Sequence, residues 1–189
     1  MADISFTDLP IRLPLDMAEN AGTEQRYPVD KWNPPHCGHS GMRIDAEGRW
    51  WHEGRPIARP ALARLFARLL RREADGRHVL VTPVEMLDID VDDAPLIASE
   101  VESEGVGKAR TLRLRLALLD DWVTVDSSHP IRMEEGERGP RPYLDLDHGL
   151  SARIDRPAYY TLAELALSED NAPPGLWSDG VFFPLESAA

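Results

Sequence analysis

Two arginine–proline pairs mark the places where this sequence could bind a charged group. Ile57-Ala58-Arg59-Pro60-Ala61 and Ile154-Asp155-Arg156-Pro157-Ala158 each open an apolar run. Proline suits the first turn of a helix, where its missing N–H is no loss. An arginine just ahead of a helix opposes the helix dipole, and Ser, Thr, Asp or Asn would be the usual cap. The same mismatch at both places has two explanations. One is an anion site, with free helix N–H groups and a guanidinium sharing a phosphate or carboxylate. The other is local pairing, of Arg59 with Glu53 and of Arg156 with Asp155.

Thr82-Pro83-Val84-Glu85 and Trp177-Ser178-Asp179-Gly180 sit at strand ends, where binding groups gather. A tryptophan followed by a hydroxyl can stack on a base and bond a phosphate or ribose, or it can anchor a turn. A hydrolase reading pairs Glu85 with His129, or with a carboxylate such as Asp92. Acid–base work needs such partners within hydrogen-bond reach. His36, Cys37 and His39 match no zinc spacing, and Cys37 reads as structural rather than redox-active. Phosphate-loop, dinucleotide, nucleophile-elbow and zincin motifs are all missing. No catalytic residue, metal ligand or cofactor is assigned.

The whole composition narrows the partners. The 189 residues are 42% hydrophobic and 29% charged, a globular balance. A chain of this length buries roughly 70% of its unfolded surface and needs no staple. The net charge of −12 argues against non-specific nucleic-acid binding and against anionic membranes. One cysteine excludes an internal disulfide. The sequence begins without an export signal and has no spanning segment, so the expected location is the cytoplasm.

The elements that would position these residues can be read in order. Residues 1–31 form an N-terminal extension with a short turn at Ala18–Gln25. Trp32-Asn33-Pro34-Pro35 is a stiff arm and His36–His39 a loop. Met42–Asp45 and Arg49–His52 make a hairpin, with Trp50 or Trp51 facing inward. Residues 60–72 predict a helix whose apolar face carries Leu62, Leu65, Phe66, Leu69 and Leu70. Strands follow at His78–Val81 and Leu87–Val91. The second half predicts strands at 112–118, 122–125, 131–133, 143–146 and 150–154. A helix from Pro157 to Leu167 and a strand at Val181–Phe183 complete it. Seven arginines between Arg55 and Arg77 face eight acids and no base from Glu85 to Glu104. These runs either pair or hold an anionic ligand or acidic partner.

The two helix starts share Ile, Arg, Pro and Ala at one constant separation and differ at Ala58 and Asp155, with Leu65 and Leu70 answered by Leu162 and Leu167. The predicted class is α+β, two similar strand–helix–strand halves arising by duplication. The boundaries are 1–31, 32–94 and 95–189.

An ordered series of motifs carries a family resemblance. It runs through Trp32-x-Pro34-Pro35-x-Cys37-Gly38, Ile44-Asp45-x-x-Gly48-x-Trp50 and Glu53-Gly54-x-Pro56-Ile57-x-Arg59. It continues through Val81-Thr82-Pro83-Val84-Glu85, Gly149-Leu150-x-Ala152-Arg153, Arg156-Pro157-x-Tyr159-Tyr160 and Trp177-Ser178-x-Gly180-x-Phe182-Phe183. Over Trp32 to Leu185 the chain resembles the bacterial family called domain of unknown function 1285. The resemblance implies a duplicated α+β core whose second half is an antiparallel meander plus helix, similar to a pleckstrin-homology fold. It also implies a signalling role with a nucleotide-like ligand at the seam between halves. On that basis the ligand-binding candidates are Trp50, Arg59, Thr82, Glu85, Arg153, Arg156, Trp177 and Ser178. The expected function is ligand sensing without catalysis. The alternatives are a protein-interaction module and, third, the Glu85/His129 hydrolase.

Overall fold

The computed structural model describes residues 11–14, 26–136, 139–169 and 173–185. The turn expected at 18–25 and most of the N-terminal extension lie outside them. The chain divides into two units. Unit 1 holds residues 1–95 with 148–150, and unit 2 holds 96–147 with 151–189.

Unit 1 is a six-stranded sheet in the order β3-β2-β1-β6-β5-β4. Its strands are β1 His36–Ile44, β2 Trp50–His52, β3 Arg55–Pro56, β4 Leu70–Arg72, β5 His78–Val81 and β6 Met86–Val91. Two antiparallel meanders meet at the centre, where β1 runs parallel to β6. Asp45 sets the first turn: its Oδ1 accepts the amides of Glu47 and Arg49 at 3.1 and 2.9 Å. Ile44 then lies opposite Trp50.

Two expectations for this unit are corrected. His36–His39 is strand, not loop; Gly38 and Gly41 take φ of 99° and 69° there. The register against β6 shifts on either side of His39, the mark of bulges that glycine permits. Helix α1 spans Pro60–Ala67 and stops short of 72. Leu70 is needed as a strand residue opposite Leu80, and Val81 N donates to Leu69 O. Cross-strand burial overrides helical spacing there. α1 buries Leu62, Ala63, Leu65, Phe66 and Ala67, and the Phe66 ring lies 6.0 Å from that of Trp50.

Unit 2 carries β7 Leu96–Glu104, β8 Thr111–Leu116, β9 Asp121–Thr124, β10 Ile131–Glu134, β11 Arg141–Asp145 and β12 Ser151–Ile154. Their order is β10-β11-β12-β7-β8-β9, with β12 and β7 parallel at the centre. Helix α2, Arg156–Leu167, follows β12, and a hairpin of β13 Gly175–Ser178 and β14 Val181–Pro184 closes the unit. The acidic run toward Glu104 is the outer half of β7. Glu100 and Glu102 stand opposite Arg115 and Arg113 of β8 and pair with them, as opposite charges across strands do.

The fold is mixed α+β, with the same sheet twice. In each unit the first strand of one meander runs parallel to the last strand of the other. The helices do not share a place in that scheme. α1 joins the third strand to the fourth, whereas α2 comes after the sixth. The two similar halves expected from sequence are found as two matching sheets, each with a helix between two strands, β3 and β4 for α1 and β12 and β13 for α2. Asp155, not Arg156, is the N-cap of α2, and its carboxylate accepts Ala158 N at 3.0 Å. The mismatch of charge and dipole holds only for Arg59, which caps α1 without a side-chain bond.

Candidate functional site

A candidate site lies in unit 2, where the β7–β8 connection meets the final hairpin. Gly105-Val106-Gly107-Lys108-Ala109-Arg110 forms that connection. Gly105 and Gly107 take φ of 79° and 52°, so the chain can fold back into the short 3-10 turn Gly107–Ala109. A Cβ on Gly105 would lie 2.5 Å from Ala109 O. The turn is held to the hairpin: Asp179 N donates to Arg110 O at 3.0 Å.

This folding brings one cation to an aromatic face and buries a second beside it in the same connection. Lys108 Nζ sits 4.9 Å from the centroid of the Trp177 ring, a cation–π distance. The other side of the hairpin offers Phe182, 5.3 Å away. Arg110 is 4% exposed. Its Nη2 reaches Glu169 Oε1 at 2.8 Å, and the same oxygen accepts Gly107 N at 3.2 Å. Nε and Nη1 of Arg110 find no acceptor among the described residues. Leaving a buried charged donor unpaired is expensive, so an acceptor added here would be stabilised. Lys108, Arg110 and the Gly107 amide can hold an anion. Trp177 can offer a face to a planar group.

Unit 1 has a cavity of about 370 Å³ beside the β1–β2 turn, lined by Arg43, Asp45, Arg49, Trp51 and Asp92 among others. Its charged groups are already matched. Asp45 Oδ2 accepts Arg49 Nε at 2.8 Å and Trp51 Nε1 at 2.9 Å. Arg43 binds both oxygens of Asp92, at 2.9 and 2.5 Å. Burial alone would raise the Asp45 pKa, but the Arg49 amide, the Trp51 indole and the Arg49 guanidinium outweigh it and hold the pKa low. The Arg43 hydrogen bonds likewise lower that of Asp92. Carboxylates held ionised in this way are poor proton shuttles near neutral pH.

The residues nominated from sequence fare differently. In unit 1, Trp50 is core at 3% exposure. Arg59 is exposed at the start of α1. The Thr82 hydroxyl closes its own turn, accepting Glu85 N at 3.2 Å. The buried Glu85 carboxylate accepts the Arg12 amide and lies 3.9 Å from its guanidinium. In unit 2, Arg153 is half-buried on β12 opposite Tyr143, and Arg156 is exposed. The buried Ser178 hydroxyl accepts Leu112 N at 2.9 Å and donates to Val125 O at 2.6 Å, so it is spent on the fold. Of the eight, Trp177 and its neighbour Ser178 alone adjoin the Lys108–Arg110 cluster. His129 lies between Asp126 and Asp147 of its own unit, at 3.3 and 3.4 Å. The sequence reading missed Lys108, Arg110 and Glu169. The two glycines around Val106 were the available signal.

Among the described residues no three His, Cys, Asp or Glu side chains cluster as metal ligands. No described helix is long and apolar enough to cross a membrane. Cys37, expected beside the proline arm, is exposed, with Sγ 3.5 Å from Pro35 O.

Comparison with known proteins adds the relatives. Residues 27–94 match the family model described as "Domain of unknown function (DUF1285), N-terminal domain". Residues 95–185 match "Protein of unknown function (DUF1285), C-terminal domain". The crystal structure of a DUF1285 family protein from Silicibacter pomeroyi DSS-3 is similar at 42% identity and a TM-score of 0.81, over 90% of this chain and 93% of that one. One from Shewanella baltica OS155 is similar at 26% identity and a TM-score of 0.52, over 66% and 91%. No curated protein matches.

Proposed function

The chain belongs to the DUF1285 family, and from that premise we propose that it is a non-catalytic ligand sensor whose unit 2 takes a nucleotide-like anion. The observation that carries this reading is Arg110. Its guanidinium is buried in the fold, with Nε and Nη1 meeting no acceptor among the described residues. A phosphate oxygen supplies an acceptor, and charge-assisted bonds to guanidinium are among the stronger hydrogen bonds. Lys108 adds a second charge, and Trp177 offers its ring to the base. Stacking of that kind is worth about 1–3 kcal/mol per base. The role we assign is signalling in the cytoplasm, the ligand reporting a metabolic state to a partner.

Two facts weigh against catalysis. Asp45 and Asp92 are held ionised. Glu85 accepts from the Arg12 amide, and His129 lies against Asp126 and Asp147.

The test is a thermal-shift screen of nucleoside mono- and diphosphates. A ligand at a hundred times its Kd stabilises a fold by about 2.7 kcal/mol. For a chain of this size that is a rise in Tm of roughly 5–10 °C. Lys108→Ala, an exposed change, should reduce the shift and keep the unliganded Tm, while Arg59→Ala should leave both alone. If no nucleotide raises Tm, the reading fails. The interaction-module reading then leads, supported by β9, an outer strand bearing the exposed Trp122.

A further inference from the structure

We infer that Glu169 is a built-in occupant of the anion position, so that ligand binding in unit 2 is an exchange in which the Glu169 carboxylate leaves. The inference rests on the ligand reading above and concerns how that site is regulated.

Glu169 Oε1 accepts from the Gly107 amide at 3.2 Å and from Arg110 Nη2 at 2.8 Å. These are the donors that an incoming phosphate or carboxylate would use. A backbone N–H in a glycine turn beside a guanidinium is a general anion receptor, and here it is filled from within the chain. Arg110 is 4% exposed, and its Nε and Nη1 meet no acceptor among the described residues. The Glu169 side chain itself is 16% exposed and reaches the surface.

The displaced group has a mechanical attachment. Glu169 lies one residue beyond the C-cap Ser168 of α2, and its amide donates to Ala166 O at 3.2 Å, while Ser168 N donates to Glu164 O at 3.1 Å. Binding of an anion therefore trades one carboxylate for another acceptor at the Gly107–Arg110 receptor and frees the C-terminal turn of α2. That turn carries Leu167, which is 77% exposed. Occupancy of the site becomes a change in order at the end of one helix, the form in which a sensor can pass its signal on. No covalent step is involved, and the ligand class is an anion small enough to replace a carboxylate, a phosphate monoester above all.

The experiment is calorimetric titration of the full chain and of Glu169→Gln with inorganic phosphate and with adenosine 5′-monophosphate. Gln keeps an acceptor oxygen and loses the charge, so the fold should persist and the competitor should weaken. We expect binding to Glu169→Gln to tighten by about tenfold, the equivalent of one charge-assisted hydrogen bond. In the unmodified chain, saturating adenosine 5′-monophosphate should speed amide exchange at 165–169. That measurement decides the matter if Glu169→Gln does not fold. Equal or weaker binding by Glu169→Gln, or unchanged exchange at 165–169 on saturation, overturns the exchange mechanism while the site stands. No binding by either protein overturns both the mechanism and the site.

Discussion

The Trp51 indole nitrogen donates to Asp45 Oδ2 at 2.9 Å. Through this bond one carboxylate both closes the β1–β2 turn and fixes the aromatic ring beside it. Asp45 receives four N–H groups in all, two from backbone amides and two from the side chains of Arg49 and Trp51. The Ile44-Asp45-x-x-Gly48-x-Trp50 pattern is thus a folding motif: the acid organises the turn, Gly48 takes φ of 78°, and Trp50 enters the core.

Asp45→Asn should lower stability at neutral pH by about 1–3 kcal/mol, since bonds to a charged acceptor are replaced by weaker ones. The sign with pH follows from the lowered pKa. The stabilisation is present above the unfolded value near 3.9 and is lost as pH falls through the folded one. Urea unfolding of both proteins should therefore converge as the pH falls through the lowered folded pKa. A difference that persists in acid would show that the carboxylate's charge is not its source.

Gly105→Ala should destabilise more than Gly38→Ala. Both residues have positive φ, 79° and 99°, so both substitutions incur the backbone penalty of about 1 kcal/mol or more. At Gly38 nothing lies within 4 Å of an added Cβ, whereas at Gly105 the Ala109 carbonyl oxygen lies 2.5 Å away and is backbone. Thermal melts of the two variants measure the difference. Because Gly105 shapes the turn that carries Lys108 and Arg110, Gly105→Ala should also weaken nucleotide binding.

Leu65→Ala should cost about 2–5 kcal/mol through lost burial and the cavity left behind. Leu65 is 2% exposed in α1, beside the fully buried Phe66. An unchanged urea midpoint would mean that this face of α1 is not core.

What the sequence made legible follows local rules. The alternation Leu112, Leu114, Leu116 gave β8, since a period of two is enforced by the pleat. Pro60 and Pro157 gave both helix starts to within a residue. What stayed hidden depends on distant pairing. β7 looked like an acidic run because its charges are matched by Arg113 and Arg115 on another strand. β1 looked like a loop at His36–His39 because two glycine bulges break its alternation. The Arg110–Glu169 pair joins residues far apart in the chain, and no spacing rule connects them. The buried fate of Ser178 was equally out of reach, because its partners are the backbones of Leu112 and Val125.

Arg71 supplies the last prediction, because it shows that an arginine from the basic run is a staple. Its Nη1 donates to the carbonyls of Val29 and Trp32, at 2.7 and 2.9 Å, and its Nε to Glu73 at 2.7 Å. One guanidinium therefore holds the 3-10 turn Val29–Lys31 against β4. A lysine cannot span three acceptors in that fan, since its single ammonium lacks the planar fork. Arg71→Lys should lower stability by about 1–2 kcal/mol and raise amide exchange at 29–32 well above that of β5. Arg77, which is half-exposed and bonds Asp75 and Asp88, is the control. Arg77→Lys should stay within about 0.5–1 kcal/mol, as surface pairs do. Equal losses in the two variants would show that charge, and not the reach of the Arg71 fork to the carbonyls, holds the arm in place.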